Sequence, residues 1–440
     1  MRKAMGCNEM SVRRRKDIVV RYGLVISGLT AMLAVATVAS AQSPVVRTVE
    51  FAAAVQLAVE RNPSMATAAA AVAEANASVA LAKAFTRPTA TATVNNVTLN
   101  KAQGFEGGVT QPRNQTTFGA TASVPLLAFN DWAAVNQARD RIVVATENAN
   151  EARRQVAMAT AQTYLAVIAA KRQIEVDERA LESARAHLDY ADKRLAGGLG
   201  SRLNQLRAAQ AVSEDESRLE ATKLQLRRAQ EALGVLVVEN GPVDAGADPA
   251  FEKPTVSDSE LLSNRADIRA EDAAIAAAER VIKDTNKAWY PTAGVSFSPQ
   301  YVTPTGLFSP SKSYRLLFSV SQPLFVTGIK AETTLRRIAL DRVQIARRAL
   351  EIQARSEIRI AQDAVDALNR SLDSARLAAN QANEVLRIST AAFEVGATTN
   401  LEVIDAQRSA RDADSVVAQA EDAVRRAELD VLVAFGRFPR

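Results

Sequence analysis

Residues 131–198 read DWAAVNQARD RIVVATENAN EARRQVAMAT AQTYLAVIAA KRQIEVDERA LESARAHLDY ADKRLAGG. The first 66 of them, Asp131–Ala196, contain neither glycine nor proline, and Gly197-Gly198 ends the run. Ala, Glu, Arg, Gln and Leu dominate it, all strong helix formers. At about 1.5 Å of rise per residue the run makes a helix on the order of 100 Å long. No globular core is that deep, so such a helix must project as coiled-coil structure. Val156, Ala159, Thr163, Val167 and Ala170 recur at three- and four-residue spacing and draw a narrow seam for close helix approach. A shorter run, Ser201–Leu233, returns after the break. The pattern predicts a helical hairpin whose tip is Gly198, a glycine suited to the left-handed C-cap conformation.

The same plan is written again downstream. Ile329–Val395 is a second uninterrupted run, of 67 residues, broken at Gly396 and followed by Ala397–Phe435. Gly198 and Gly396 are 198 residues apart, as are Val124-Pro125-Leu126-Leu127 and Gln322-Pro323-Leu324-Phe325. Further upstream, Pro88-Thr89-Ala90 and Pro291-Thr292-Ala293 stand 203 apart. They close alanine-rich runs opened by Asn62-Pro63 and by Arg265-Ala266-Asp267-Ile268. Duplication at this scale requires two equivalent halves, each helix–strand–strand–helix–helix. The halves are residues 42–238 and 261–440, joined by a Pro- and Gly-bearing linker at 239–260.

The segments between helices alternate with period two. Ser313–Phe325 sets Tyr314, Leu316, Phe318 and Val320 against Arg315, Leu317, Ser319 and Ser321. Thr117–Val124 sets Phe118, Ala120, Ala122 and Val124 against Thr117, Gly119, Thr121 and Ser123. Thr89–Leu99 and Thr292–Val302 alternate more weakly. This is the pattern of a transmembrane β-barrel strand and also of an amphipathic strand in a soluble sheet. Four strands are too few to close a barrel, so a membrane role requires several chains sharing one.

Arg13-Arg14-Arg15-Lys16 precedes an uncharged stretch, Tyr22–Ala41, that ends in the small-residue pattern Ala39-Ser40-Ala41. Residues 1–41 therefore read as a signal peptide cleaved after Ala41. They hold seven basic and two acidic side chains, so without them the formal charge of +5 falls to zero. The high pI belongs to the leader and implies no nucleic-acid partner. The one cysteine, Cys7, also lies there, which leaves no thiol for disulfides or metal ligation. No further apolar segment is expected to reach transmembrane-helix length, so only a barrel remains for the membrane.

Enzymatic chemistry is nearly absent from the inventory. His187 is the only histidine, and its neighbours Arg185 and Asp189 read with it as solvated coil surface. One histidine cannot build a metal cluster. No nucleophile elbow or phosphate-cradling glycine loop is present. Gly104, Gly107 and Gly108 fall in Asn100–Asn114, a polar loop between two strands, with Thr303–Ser311 as its counterpart. The reading is not an enzyme, with no cofactor and no metal.

In order and spacing these landmarks resemble the TolC-like outer-membrane efflux proteins: Asn62-Pro63, Pro88 and Pro291, the Val-Pro-Leu-Leu and Gln-Pro-Leu-Phe strand ends, and the tips Gly198…Leu203…Leu206 and Gly396…Leu401…Ile404-Asp405-Ala406. Arg265-Ala266-Asp267-Ile268 resembles the family's Arg-Pro-Asp-Ile/Leu motif and departs from it at Ala266. The resemblance covers essentially all of residues 48–436. It implies an α+β membrane protein of the outer membrane, a homotrimer pooling four strands per chain in a 12-stranded β-barrel. Twelve helices would continue the duct as a periplasmic α-barrel. It also implies a passive exit duct of a tripartite efflux or type I secretion system, linked through a periplasmic adaptor to an inner-membrane transporter.

The resemblance further implies that Glu402 and Asp405, three residues apart on one helix face, constrict the periplasmic entrance. Six carboxylates in a trimer would attract cations and repel anions. The first-hairpin equivalents are Asn204 and Arg207, so one hairpin per chain would build the ring. Solvated helix charges, or pairing of Asp405 with Arg207, is the plain alternative. Gly198, Leu199, Ser201, Leu203 and Leu206 of the first tip, with Gly396, Ala397, Thr399 and Leu401 of the second, offer small and apolar surface for an adaptor hairpin. For Leu203 and Leu206 packing inside the hairpin competes with docking. A non-pore periplasmic coiled-coil adaptor is the rival reading of the whole chain. It needs neither two equal hairpins nor lipid-facing strands. The scarcity of histidine and methionine, one and six residues, favours small-molecule over metal efflux.

Overall fold

The computed structural model describes residues 46–251 and 263–438. The expected signal peptide, residues 1–41, and residues 252–260 of the expected linker lie outside them. The first half runs β1 (Arg47–Val49), α1 (Phe51–Arg61), α2 (Pro63–Ala84), β2 (Thr89–Thr98), β3 (Gln103–Phe105), β4 (Gly108–Gln111), β5 (Asn114–Leu127), α3 (Phe129–Ala196) and α4 (Arg202–Val237). The second runs β6 (Val243–Ala245), α5 (Ala266–Thr285), β7 (Thr292–Thr303), β8 (Lys312–Ser321), α6 (Ile329–Glu394) and α7 (Asn400–Ala434).

The two long helices form as their sequence dictates. α3 has 68 residues and α6 has 66, about 100 Å each. Each is flanked by shorter helices: α4 and α2 pack along α3, α7 and α5 along α6. Of the seam expected on α3, Val156, Val167 and Ala170 are buried while Ala159 and Thr163 are half-buried; the deepest burial shifts one position, to Thr160, Ala161, Tyr164 and Leu165. Asn62 and Pro63 set the break between α1 and α2. The Asn62 carboxamide oxygen accepts from Ser64 N–H at 2.9 Å, and Pro63, lacking an N–H, occupies the first helical position. Ala266 holds the equivalent first position of α5. The shorter α1 lies upstream of the Asn62-Pro63 landmark and had no marker in the sequence reading. α2 corrects another expectation, since by length and composition it is apolar enough to cross a membrane. Its apolarity is mostly alanine, and it packs along α3.

β2, β5, β7 and β8 make one antiparallel sheet in that order. Its strands of 10, 14, 12 and 10 residues reach the roughly 9–11 that a tilted membrane strand needs. The register separates two faces. Ala122, Phe297 and Leu316 align across the sheet, as do Val124, Val295 and Phe318, while Val94 stands opposite Phe118. Phe118, Phe297, Tyr314, Leu316, Phe318 and Val320 are exposed on this face. The other face aligns Thr89, Ser123 and Ser296, with the Thr89 and Ser123 hydroxyls 2.7 Å apart. A continuous exposed apolar face backed by hydroxyls is what lipid on one side and water on the other demand.

Three strand expectations need correction. β8 stops at Ser321, not Phe325, because Pro323 has no N–H to donate and Leu324 and Phe325 stay exposed. Asn100–Asn114 is not a plain loop: β3 and β4 pair within it, and Leu307 N–H donates to Val109 O at 2.8 Å from the opposite connection. The 239–260 segment is also more than a linker, since β6 pairs in parallel with β1. Lys171 Nζ clamps it through Asp244 at 2.5 Å and Ala245 O at 2.7 Å.

Candidate functional site

The two hairpin turns are built alike. Leu199 N–H donates to Arg194 O and Gly198 N–H to Leu195 O, both at 3.0 Å. Their repeats are Ala397 N–H to Ala392 O at 2.7 Å and Gly396 N–H to Phe393 O at 3.1 Å. Gly198 (φ +73°) and Gly396 (φ +77°) take the left-handed conformation these paired bonds require. The return helices are capped alike as well. Ser201 Oγ accepts from Leu203 N–H at 3.2 Å, and Thr399 Oγ1 accepts from Glu402 N–H at 3.4 Å.

Around these turns Leu199, Leu203, Leu206 and Leu401 are exposed, with Ala397 and Thr399. Leu203 is 55% and Leu206 52% exposed, so each leaves about half its surface uncovered. Leu206 differs here from its repeat partner Ile404, which is buried. Glu402 and Asp405 are both exposed on α7, beside the buried Val403, Ile404 and Ala406. Arg207 is also exposed, and among the described residues Asp405 makes no ion pair with it.

What joins the two hairpins was not foreseen. His187, expected on the coil surface, is buried on α3, and its Nε2 stands 2.7 Å from Asn400 Oδ1 at the start of α7. Asn400 Nδ2 donates to Asn204 O at 3.3 Å, which turns Oδ1 toward the imidazole and makes His187 Nε2–H the donor. Burial lowers the His187 pKa, partly opposed by the Asn400 bond, so the ring is neutral at neutral pH. Alongside, Tyr190 OH donates to Glu394 O and Arg194 Nη1 to Phe393 O, each at 3.3 Å. A cation at the carbonyl end of α6 complements its dipole, and the guanidinium lies 5.5 Å from the Phe393 ring centre. Farther from the tip, Arg411–Asp215 at 2.7 Å and Arg408–Glu214 at 2.8 Å continue the contact. One signal pointed here: Asn400 occupies the repeat position of Arg202, and the swap of a cation for an amide marks where the halves play different parts.

No group of His, Cys, Asp or Glu among the described residues is arranged to hold a metal. What the arrangement offers is a paired tip with exposed leucines, Leu199, Leu203 and Leu206 on the first hairpin and Leu401 on the second, and the exposed carboxylates Glu402 and Asp405 on the second.

The family model for the outer membrane efflux protein matches residues 54–237 and 259–437. The chain is 26% identical over 335 residues to the pyoverdine export outer membrane protein OpmQ of Pseudomonas putida, covering 73% of this chain and 69% of that one. It is 27% identical over 323 residues to the outer membrane protein OprJ of Pseudomonas aeruginosa, 70% and 65% of the two chains. The outer membrane protein VceC of Vibrio cholerae superposes with a TM-score of 0.73 at 19% identity, over 88% of this chain and 96% of that one. The duplicated hairpins, the two-faced sheet and these likenesses agree: the chain belongs to the outer membrane efflux protein family, and is an outer-membrane channel.

Proposed function

We propose that three copies of this chain assemble into a passive, non-enzymatic exit duct for small molecules, fed by a periplasmic adaptor and through it by an inner-membrane transporter. The observation that carries the reading is the sheet. β2 and β8 are free edges, one face is apolar and exposed, and only pairing of β8 with β2 of the next copy closes it without unpaired backbone in lipid. α6 supports the same assembly. Ile338, Ile345 and Ile352 recur at seven-residue spacing, all exposed, a stripe that needs a neighbouring helix.

At the entrance Glu402 and Asp405 would line one ring in three copies, and the exposed leucines of the first tip would meet the adaptor. Planar-bilayer conductance of the purified protein, with oligomeric mass from the same sample, tests the reading. A trimer giving stable conductance steps is expected. A non-conducting monomer or dimer would overturn the duct and leave a coiled-coil adaptor as the reading.

A further inference from the structure

Arg315 stands on the hydroxyl-rich face of the sheet. Ser298 lies opposite it on β7, the Ser298 hydroxyl is 3.2 Å from that of Thr121 on β5, and Thr121 lies opposite Thr91 on β2. The side chain is exposed and makes no hydrogen bond or ion pair among the described residues. The four sheet strands contain no carboxylate and two cations, Lys312 and Arg315. Three positions apart, these project to opposite faces. Lys312 falls opposite Tyr301 on the apolar face at the end away from the helices. Arg315 is thus the one charge that these strands present to the polar side. The connecting loops do not neutralise it: Lys101 and Arg113 stand against Glu106.

We propose that Arg315 is the charge-selecting residue of the barrel. Three guanidinium groups facing one lumen form a cationic ring that favours small anionic cargo, molecules bearing a carboxylate, sulfonate or phosphate, over cationic cargo. The proposal rests on the trimeric-barrel reading above. The duct then carries fixed charge of opposite sign at its two ends, Glu402 and Asp405 at the entrance and Arg315 in the barrel. Opposed filters in series pass current unequally in the two directions, and their reach follows the Debye length, about 10 Å at 0.1 M salt and about 3 Å at 1 M.

The test is the reversal potential of the full-length trimer in planar bilayers under a KCl gradient centred near 0.1 M. It compares the wild type with Arg315→Gln, Arg315→Glu and Lys312→Gln, each checked for trimer mass. The expected result is a potassium-over-chloride permeability ratio raised about twofold or more by Arg315→Gln and further by Arg315→Glu. Lys312→Gln should leave the ratio unchanged, and the differences should collapse near 1 M salt. Conducting trimers whose ratio is the same in wild type and Arg315→Gln overturn the proposal, as does an equal shift from Lys312→Gln. If Arg315→Glu does not assemble, Arg315→Gln alone decides. A wild-type protein that does not conduct at all defeats the barrel reading instead.

Discussion

His187 Nε2 and Asn400 Oδ1 stand 2.7 Å apart across 213 residues of chain, the buried polar contact that ties the first hairpin to the tip of the second. Replacing His187 by alanine leaves the Asn400 oxygen buried without a donor, a loss of about 1–3 kcal/mol. The thermal midpoint in detergent should fall, and Asn400→Leu should fall with it. Because burial holds the folded His187 pKa below its unfolded value of about 6.5, the unfolded chain binds the extra proton first. The stability from this contact is therefore full above that pH and declines as pH falls below it. Thermal melts of wild type and His187→Gln between neutral and mildly acid pH check the sign, and the glutamine variant should show the shallower decline.

Glu402 and Asp405 are exposed and free of ion pairs among the described residues. If they line the entrance, replacing both by alanine raises single-channel conductance and weakens block by divalent cations. Unchanged conductance would return them to the role of solvated helix charges.

Leu203 and Leu206 are exposed, so glutamate at both positions costs the isolated protein little, within about 0.5 kcal/mol each. Export in cells should nonetheless be lost while the trimer forms normally. Loss of the trimer would show that these leucines belong to the interface between copies.

The two faces of β8 give a paired test. Phe318 is on the apolar face and Ser319 on the other. Phe318→Arg puts a charge in lipid at about 2–4 kcal/mol near the midplane and should deplete trimer from the outer-membrane fraction. Ser319→Arg, one residue along, should assemble.

Val238 ends α4 with φ +61°, where a β-branched residue is strained. Glu239 N–H donates to Gly234 O at 2.9 Å, so the turn is needed as it stands. Val238→Gly should raise the thermal midpoint, by relief of about 1 kcal/mol. A lowered midpoint would mean that the partly exposed valine side chain packs more than it strains.

Much of this molecule was determined along the chain itself. Helix length follows from 66 residues without glycine or proline, the tips follow from Gly198 and Gly396, and the two sheet faces follow from the alternation in Ser313–Ser321, which only Leu317 interrupts. These are local properties, because backbone conformation and side-chain period depend on near neighbours. Tertiary structure decided what local pattern cannot encode. His187 resembled any polar coil residue until the second hairpin brought Asn400 and Phe393 against it and excluded water. Leu206 and Ile404 hold the same place in the repeat, yet one is exposed and the other buried, because burial depends on which helix lies alongside. The β1–β6 pairing joins residues almost 200 apart, in strands of three residues, too short to carry a period. The sequence carries one plan twice, and packing of the two copies against each other decided which of their equivalent positions are buried.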